Sequence, residues 1–148
     1  MPVTTTKVLQ TAMPVTIPTV GTAEAVQTVQ VHSQVTGQLS AVLFSEGQEV
    51  KKDQVLFSID PRPFQAALQQ AQAVLARDTA TSNNASAEAT RYQDLYNRGL
   101  IPKDQYEAQV ATASSGKATL AADEATVETA QLNLQFTKIT APIAGRAG

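Results

Sequence analysis

The stretch from Asp60 to Phe136 constrains the fold more than any other part of the chain, because it carries start and stop signals for two long helices. Asp60 is a favourable N-cap residue, and Pro61 takes the first helical position, where its missing N–H costs nothing. Gly99 offers the left-handed conformation that commonly ends a helix, and Pro102 can open the next one. The sequence therefore predicts two helices joined by a short turn, over 61–98 and 102–136.

The spacing of apolar residues predicts that these helices pack on each other. On the first helix apolar residues recur at steps of four and three, with an interruption at Asp78 and Ser82; they are Phe64, Leu68, Ala71, Leu75, Ala85, Ala89, Tyr92 and Tyr96. The second helix has an apolar seven-residue column of Tyr106, Ala113, Leu120, Val127 and Leu134. Its expected partner column is mostly polar and consists of Val110, Lys117, Glu124 and Gln131.

This repeat is typical of a coiled coil, and the short turn makes the pairing antiparallel. About 35 residues per helix give a rod of roughly 50 Å. Two core helices of a larger bundle are the alternative, but the chain offers no third helix to cover their other faces.

The segments on either side of the hairpin are rich in strand-forming residues. Residues 1–30 contain Thr, Val and three prolines, and strands are expected over Thr5–Thr11, Val15–Ile17 and Thr22–Val31. Residues 31–59 read as short strands with charged turns, in which Gly47 supplies a positive φ and Val50 points inward. Residues 137–148 read as a strand, a turn and the start of a further strand. The expected fold class is α+β.

Composition excludes several classes of function. The net charge of −2 gives nucleic-acid binding no electrostatic support. Cysteine is absent, so the chain has no disulfide, thiol nucleophile or cysteine-based metal site. No run of about 18 apolar residues is present, so no membrane-spanning helix is expected.

No arrangement of residues typical of an enzyme or a metal site is present. His32 is the single histidine and is expected in a strand, as a structural or solvent-facing residue. Glu46, Glu49 and Asp53 share one turn region with two lysines, a mixture more typical of a solvated surface than of acid–base chemistry. We therefore expect no catalytic residues and no bound metal.

The two segments that flank the hairpin resemble a known family. Before the hairpin, the chain resembles the first half of a biotinyl/lipoyl-like domain in three runs, Gly37-Gln38-Leu39, Glu46–Lys52 and Leu56–Pro61. After the hairpin, it resembles the start of the second half of that domain at Leu134–Arg146. A coiled-coil hairpin inserted between such halves is the layout of the periplasmic adaptor proteins, or membrane fusion proteins, of RND-type multidrug efflux pumps. Gly47–Lys52 and Ile59–Pro63 are similar in particular to the MdtA-type branch.

The resemblance implies a division of the chain into four parts. Residues 1–30 would be one edge of a β-barrel domain, 31–59 the first lipoyl-like half, 60–136 the hairpin, and 137–148 the beginning of the second half. Family members continue beyond this point, so the chain is expected to be a fragment of a longer adaptor.

The resemblance also implies a function. The full protein would be a non-enzymatic periplasmic subunit, associated with the inner membrane, that links an RND drug/proton antiporter to an outer-membrane channel and forms a ring of copies. An adaptor of an ABC-type exporter or type I secretion system is the alternative, although those branches generally carry longer hairpins. A biotin or lipoyl carrier is less favoured, because no lysine stands at the Asp60–Arg62 position, and no cofactor is expected.

The resemblance finally implies a docking site at the hairpin tip. Arg91 and Leu95 match an Arg and a Leu of the family's tip motif, which meets the hairpins of a TolC-type channel. Both are expected to face outward beside the seam. The motif's Ser falls at about Pro102, where packing by Pro102 or Ile101 would replace it, and Leu100 adds an exposed apolar group in the turn. The alternative role for Arg91 is a surface ion pair with Glu88 or Asp94.

Overall fold

Two long antiparallel helices dominate the computed structural model, which describes all 148 residues. In chain order the elements are β1 Leu39–Val42, β2 Glu49–Val50, β3 Val55–Ile59, α1 Arg62–Asn97, α2 Lys103–Gln135, β4 Lys138–Thr140 and β5 Gly145–Arg146. The helices contain 36 and 33 residues and therefore form a rod of roughly 50 Å.

The first helix begins one residue later than the sequence predicts. Pro61 is its N-cap, and helical structure starts at Arg62. Asp60 still satisfies a free backbone donor, because its carboxylate accepts a hydrogen bond of 3.1 Å from the Arg62 N–H. The same carboxylate binds the Arg62 guanidinium at 2.7 Å, and this hydrogen bond lowers the pKa of Asp60. Asp60 thus stabilises the start of the helix although it lies one residue before the N-cap.

The seam between the helices confirms the predicted column on α1 and the column Tyr106–Leu134 on α2. Tyr96 is 36% exposed at the tip end but stacks on Tyr106 of the other helix, as a seam residue does. The predicted partner column on α2 is wrong. Its members are all exposed: Val110, Lys117, Glu124 and Gln131. The seam instead advances three residues from Tyr106 and uses Gln109, Gly116, Asp123 and Ala130, which are all half-buried. This register keeps Lys117 and Glu124 in water and places Gly116 and Ala130 where the helices approach, although it also brings Asp123 into the seam.

The middle of the rod contains the fully buried residues of the seam, and Asp78 and Ser82 do not interrupt it. Ser82 is 3% exposed and Ala113 is 8% exposed, and these are the buried residues of the two helices. Gly116 lies against Ser82 so closely that a Cβ placed there would be 3.3 Å from Ser82 Oγ. Small side chains therefore bring the two backbones together at this point.

The strands before and after the hairpin join in two small antiparallel sheets. The order is β1-β3-β4 in one sheet and β2-β5 in the other. Since β3 pairs with β4, the chain leaves the sheet at Ile59 and re-enters beside it at Lys138. A core of Val50, Leu56 and Ala141 lies between the sheets, flanked by an edge-to-face contact of Phe44 and Phe57 with ring centroids 5.1 Å apart.

Two turns of the β-region repeat the same hydrogen-bond pattern. In each four-residue turn the last residue is a glutamine whose side-chain oxygen accepts from the N–H of the first, at 2.9 Å in both turns, Ser45–Gln48 and Lys51–Gln54. The third residue has positive φ in each, at 78° for Gly47, as predicted, and 65° for Asp53. Each turn also hydrogen-bonds a residue beyond the hairpin, Ala147 or Ala141.

The strands predicted in the first 31 residues are wrong. No residue before Leu39 belongs to a helix or strand, and residues 1–34 are exposed, including His32, which was expected in a strand. Thr and Val favour strands only where a neighbouring strand pairs with them, and three prolines remove backbone donors from this segment. The predicted barrel edge therefore has no strand in this structure.

Candidate docking tip of the hairpin

The turn between the helices is closed by a Schellman motif. The Gly99 N–H donates to the Tyr96 carbonyl at 2.9 Å, and the Leu100 N–H donates to the Leu95 carbonyl at 3.0 Å. Gly99 has φ of 72°, a conformation that glycine adopts without strain. The helix carbonyls are thus satisfied internally, and the turn presents its side chains rather than open backbone groups.

Two tyrosines stack across the helices just below the turn. The rings of Tyr96 and Tyr106 are nearly parallel, with an interplanar angle of 6° and centroids 5.3 Å apart. Such pairs contribute about 0.5–1.5 kcal/mol beyond the area that they bury. Together with half-buried Tyr92, they hold the two helix ends in a fixed position, which a docking surface requires.

The turn itself carries the exposed apolar group that the sequence predicts. Leu100 is 66% exposed, Pro102 is exposed as the N-cap of α2, and Ile101 is half-buried. An isolated exposed leucine is ordinary on a protein surface, so exposure alone assigns no role. Its position at the far end of a rod is what makes it available to another protein.

Arg91 lies on the outer surface of α1, where its side chain is 71% exposed. Its guanidinium is 3.5 Å from the Glu88 carboxylate, so one of the two predicted surface ion pairs is present. Exposed pairs of this spacing contribute only a few tenths of a kcal/mol, roughly 0.2–0.5 kcal/mol. The contact therefore leaves the guanidinium able to exchange partners.

Leu95 does not face outward as predicted. It is half-buried, whereas its neighbour Tyr96 is 36% exposed. The Schellman motif brings the Leu100 N–H to the Leu95 carbonyl, so the turn folds back on the helix end at this residue. The structure thus separates the predicted tip residues into an exposed set, Arg91, Leu100 and Pro102, and a partly covered set, Leu95 and Ile101.

A second ion pair at the start of α2 was missed by the sequence analysis. Lys103 and Glu107 are 2.8 Å apart at a four-residue spacing, and the hydrogen bond to Glu107 raises the pKa of Lys103. Both side chains are more than half exposed. The signal was present in the sequence as a lysine four residues before a glutamate.

No cluster of three or more His, Asp or Glu side chains is arranged to hold a metal ion anywhere in the structure. No helix combines the length and the apolar composition needed to cross a lipid bilayer.

A long two-helix hairpin that leaves and re-enters a small two-sheet β-region defines the class to which this chain belongs. The sequence profile of the barrel-sandwich hybrid domain of RND membrane fusion proteins matches residues 27–148. The chain belongs to that family.

Similar proteins narrow the place within the family. Multidrug resistance protein MdtA of Pectobacterium carotovorum subsp. carotovorum is 48% identical over 128 residues, covering 86% of this chain and 31% of that protein. Multidrug resistance protein MdtA of Shigella boydii is 44% identical over 147 residues, covering 99% of this chain and 35% of that protein. The chain therefore spans about a third of the length of these relatives.

Solved structures agree with the architecture. A crystal structure of a MacA–MexA chimera containing the Pseudomonas aeruginosa MexA α-hairpin domain has 36% sequence identity and a TM-score of 0.54, covering 83% of this chain and 38% of the chimera. The membrane fusion protein Spr0693 of Streptococcus pneumoniae R6 has a TM-score of 0.63 at 21% identity, covering 74% of this chain and 46% of that chain, and shows likeness of fold alone.

Proposed function

We propose that this chain is the hairpin-bearing part of a periplasmic adaptor that links an inner-membrane RND drug/proton antiporter to an outer-membrane channel. The observation that carries the proposal is the coincidence of the matched family region, residues 27–148, with a rod of roughly 50 Å that projects from its β-region. A rod of this kind places its tip far from the sheets, as a bridge between two partners requires.

The proposal divides the chain by role. Residues 31–59 and 137–148 are the two contributions to one lipoyl-like β-domain, and 60–136 is the hairpin. Its support is the pairing of strands across the insertion, since β3 pairs with β4 and β2 pairs with β5. In the whole protein this domain lies in the periplasm, the protein is held at the inner membrane, and copies associate as a ring around the transport path.

The hairpin tip is the proposed contact with a TolC-type channel. The available groups are the Arg91 guanidinium, held only by an exposed ion pair, and the Leu100 side chain, which is 66% exposed. Arginine is enriched among the residues that dominate binding energy at protein interfaces, and Leu100 adds exposed apolar surface at the turn. Leu95 is half-buried and offers this surface less of its side chain.

Charge reversal and removal of the apolar anchor test this proposal. In the full-length adaptor, Arg91→Asp and Leu100→Ser are each expected to reduce efflux-dependent drug tolerance, since a loss of ~1.4 kcal/mol of binding free energy already lowers the affinity for the channel tenfold. With a crosslinking group at position 100, the otherwise unaltered adaptor is expected to crosslink to the outer-membrane channel. Helicity and Tm are expected to stay unchanged, because both side chains are mostly exposed.

Two control variants separate docking from a general effect. Lys117→Asp reverses an exposed charge in the middle of the rod, and Leu132→Ser removes a leucine that is 43% exposed near the base. Both are expected to keep full tolerance. Full tolerance in an Arg91→Asp, Leu100→Ser double variant, or equal losses in the controls, would reject the tip as the docking site.

A further inference from the structure

Two carboxyl groups face each other inside the seam, toward the base from the Ser82–Gly116 contact. Asp78 of α1 and Asp123 of α2 both occupy seam positions, and their side chains are within hydrogen-bonding contact. Two ionised carboxylates in contact repel each other and accept hydrogen bonds without donating any. The sequence predicted Asp78 as a break in the seam, and Asp123 belonged to neither of the predicted columns of α2.

The surroundings of the pair are uneven. Asp78 receives two hydrogen bonds from the Arg77 guanidinium, of 2.8 Å to Oδ1 and 2.9 Å to Oδ2, and its side chain is 18% exposed. Asp123 has no such partner, and its Oδ2 atom is buried without any hydrogen bond to another group. One carboxylate is thus fully compensated, while the other lacks the donor that its ionised form needs.

The charged groups that face Asp123 are few. From α1 they are Asp78 and the Arg77 that binds Asp78. On α2 the residues one turn away, Thr119, Leu120, Thr126 and Val127, carry no charge. The Arg77 guanidinium attracts an ionised Asp123 and so lowers its pKa, but its hydrogen bonds go to Asp78 and not to Asp123.

We propose that at acidic pH Asp123 is protonated in the folded hairpin and donates a hydrogen bond to the Asp78 carboxylate, so that the two helices are joined by one shared proton. The proton comes from solvent, and no other bond is made or broken. The O–H of Asp123 supplies the missing donor, and the single negative charge that remains is held by Arg77. The contact between the two helices at Asp78 and Asp123 therefore depends on pH.

The direction of each shift agrees with this arrangement. Burial and then the neighbouring Asp78 raise the pKa of Asp123, whereas the hydrogen bonds from Arg77 lower the pKa of Asp78. The stability that protonated Asp123 contributes is present at acidic pH and is lost as pH rises through its raised pKa. The contribution of ionised Asp78 has the opposite sign and is lost as pH falls through its depressed pKa. The shared proton is therefore present between the depressed pKa of Asp78 and the raised pKa of Asp123.

Direct titration of the 148-residue chain is the first test. With carboxyl carbons of aspartate labelled for NMR, Asp123 is expected to titrate above the value of about 3.9 that is ordinary for aspartate, and Asp78 below it. Asp78→Asn is expected to bring the Asp123 titration down toward the ordinary value, because the neighbouring charge is gone. Titration of Asp123 at or below the ordinary value in the unaltered chain would overturn the proposal.

The dependence of Tm on pH is the second test. Asp123→Asn keeps a donor at this position without a titrating proton, so it is expected to raise Tm by a few degrees at pH 8 and to flatten the loss of Tm with rising pH. Glu128→Gln removes a carboxylate from the exposed surface of the same helix and is expected to keep the slope of the unaltered chain. An unchanged slope in Asp123→Asn, or equal flattening in Glu128→Gln, would contradict a shared proton.

Discussion

The hairpin and the β-region bury their residues in opposite ways. Among the seven buried residues of the molecule, the hairpin helices contribute Ser82 and Ala113, while the remaining five lie in or beside the much shorter strands: Val50, Leu56, Ile59, Thr137 and Ala141. The hairpin spreads half-buried contact residues along about ten helical turns, whereas the β-region depends on a few fully buried residues. A rod can therefore lose one contact and keep its shape, but a small core cannot.

Leucine truncation gives the largest expected contrast. Leu56→Ala removes a side chain that is 6% exposed in the β-core, and is expected to lower the free energy of unfolding of the β-region by about 2–5 kcal/mol. Leu120→Ala removes a half-buried seam leucine and is expected to cost about half as much, because less of the side chain leaves an apolar environment. Urea unfolding followed by circular dichroism measures both. Equal losses would show that the two regions bury leucine equally well.

An added methyl group at the junction of the two regions gives the next largest effect. A Cβ on Gly37 would lie 2.6 Å from Ile59 Cγ2 and 3.7 Å from Phe64 Cε2, between the end of β3 and the start of α1. Gly37→Ala is expected to lower the free energy of unfolding by about 1–3 kcal/mol through overpacking. Gly21→Ala, with no atom within 4 Å, is the matched control and is expected to change nothing. If Gly37→Ala were as neutral as Gly21→Ala, the junction would be looser than its distances indicate.

The two repeated turns give the smallest effect and test the β-region alone. Asp53→Gly is expected to raise the free energy of unfolding slightly, by less than about 1 kcal/mol, because a positive φ is unfavourable for residues other than glycine. Gly47→Ala is expected to lower it by a similar amount at the equivalent position. Thermal unfolding of the two single variants measures both signs. A loss of stability in Asp53→Gly would mean that the aspartate side chain contributes more than its backbone conformation costs.

The sequence predicts the hairpin well because its signals are local. Asp60, Gly99 and Pro102 place the helix ends within a residue or two, and the four–three spacing locates the α1 seam. The second column of α2 was misassigned because a four-residue step from Tyr106 reaches apolar Val110, while the correct three-residue step reaches Gln109. The prediction gave too much weight to the apolar side chain of Val110. It gave too little weight to the lysine and glutamate that follow in the same column, which are unfavourable in a buried seam.

The β-region is harder to predict because its contacts join residues on opposite sides of the hairpin. The pairing of Glu49 with Arg146 leaves no local pattern in the sequence. The N-terminal segment shows the reverse error, since its Thr and Val content predicts strands that no partner in the chain completes. At the tip, Leu95 is half-buried although it lies outside the predicted seam column, and helical spacing alone did not predict this.

The antiparallel path of the helices has a kinetic consequence for the β-region. The Ile59 N–H donates to the Thr137 carbonyl at 2.8 Å, although the entire hairpin separates the two residues along the chain. Helices and their local pairing form within microseconds, and closing a long flexible loop is entropically costly. Once the two helices have paired from the turn toward the base, β3 and β4 lie next to each other, as they would if a short linker joined them. The contact order that limits folding is then that of a small β-hairpin, and slow formation of the sheets is expected only when the rod itself is disrupted.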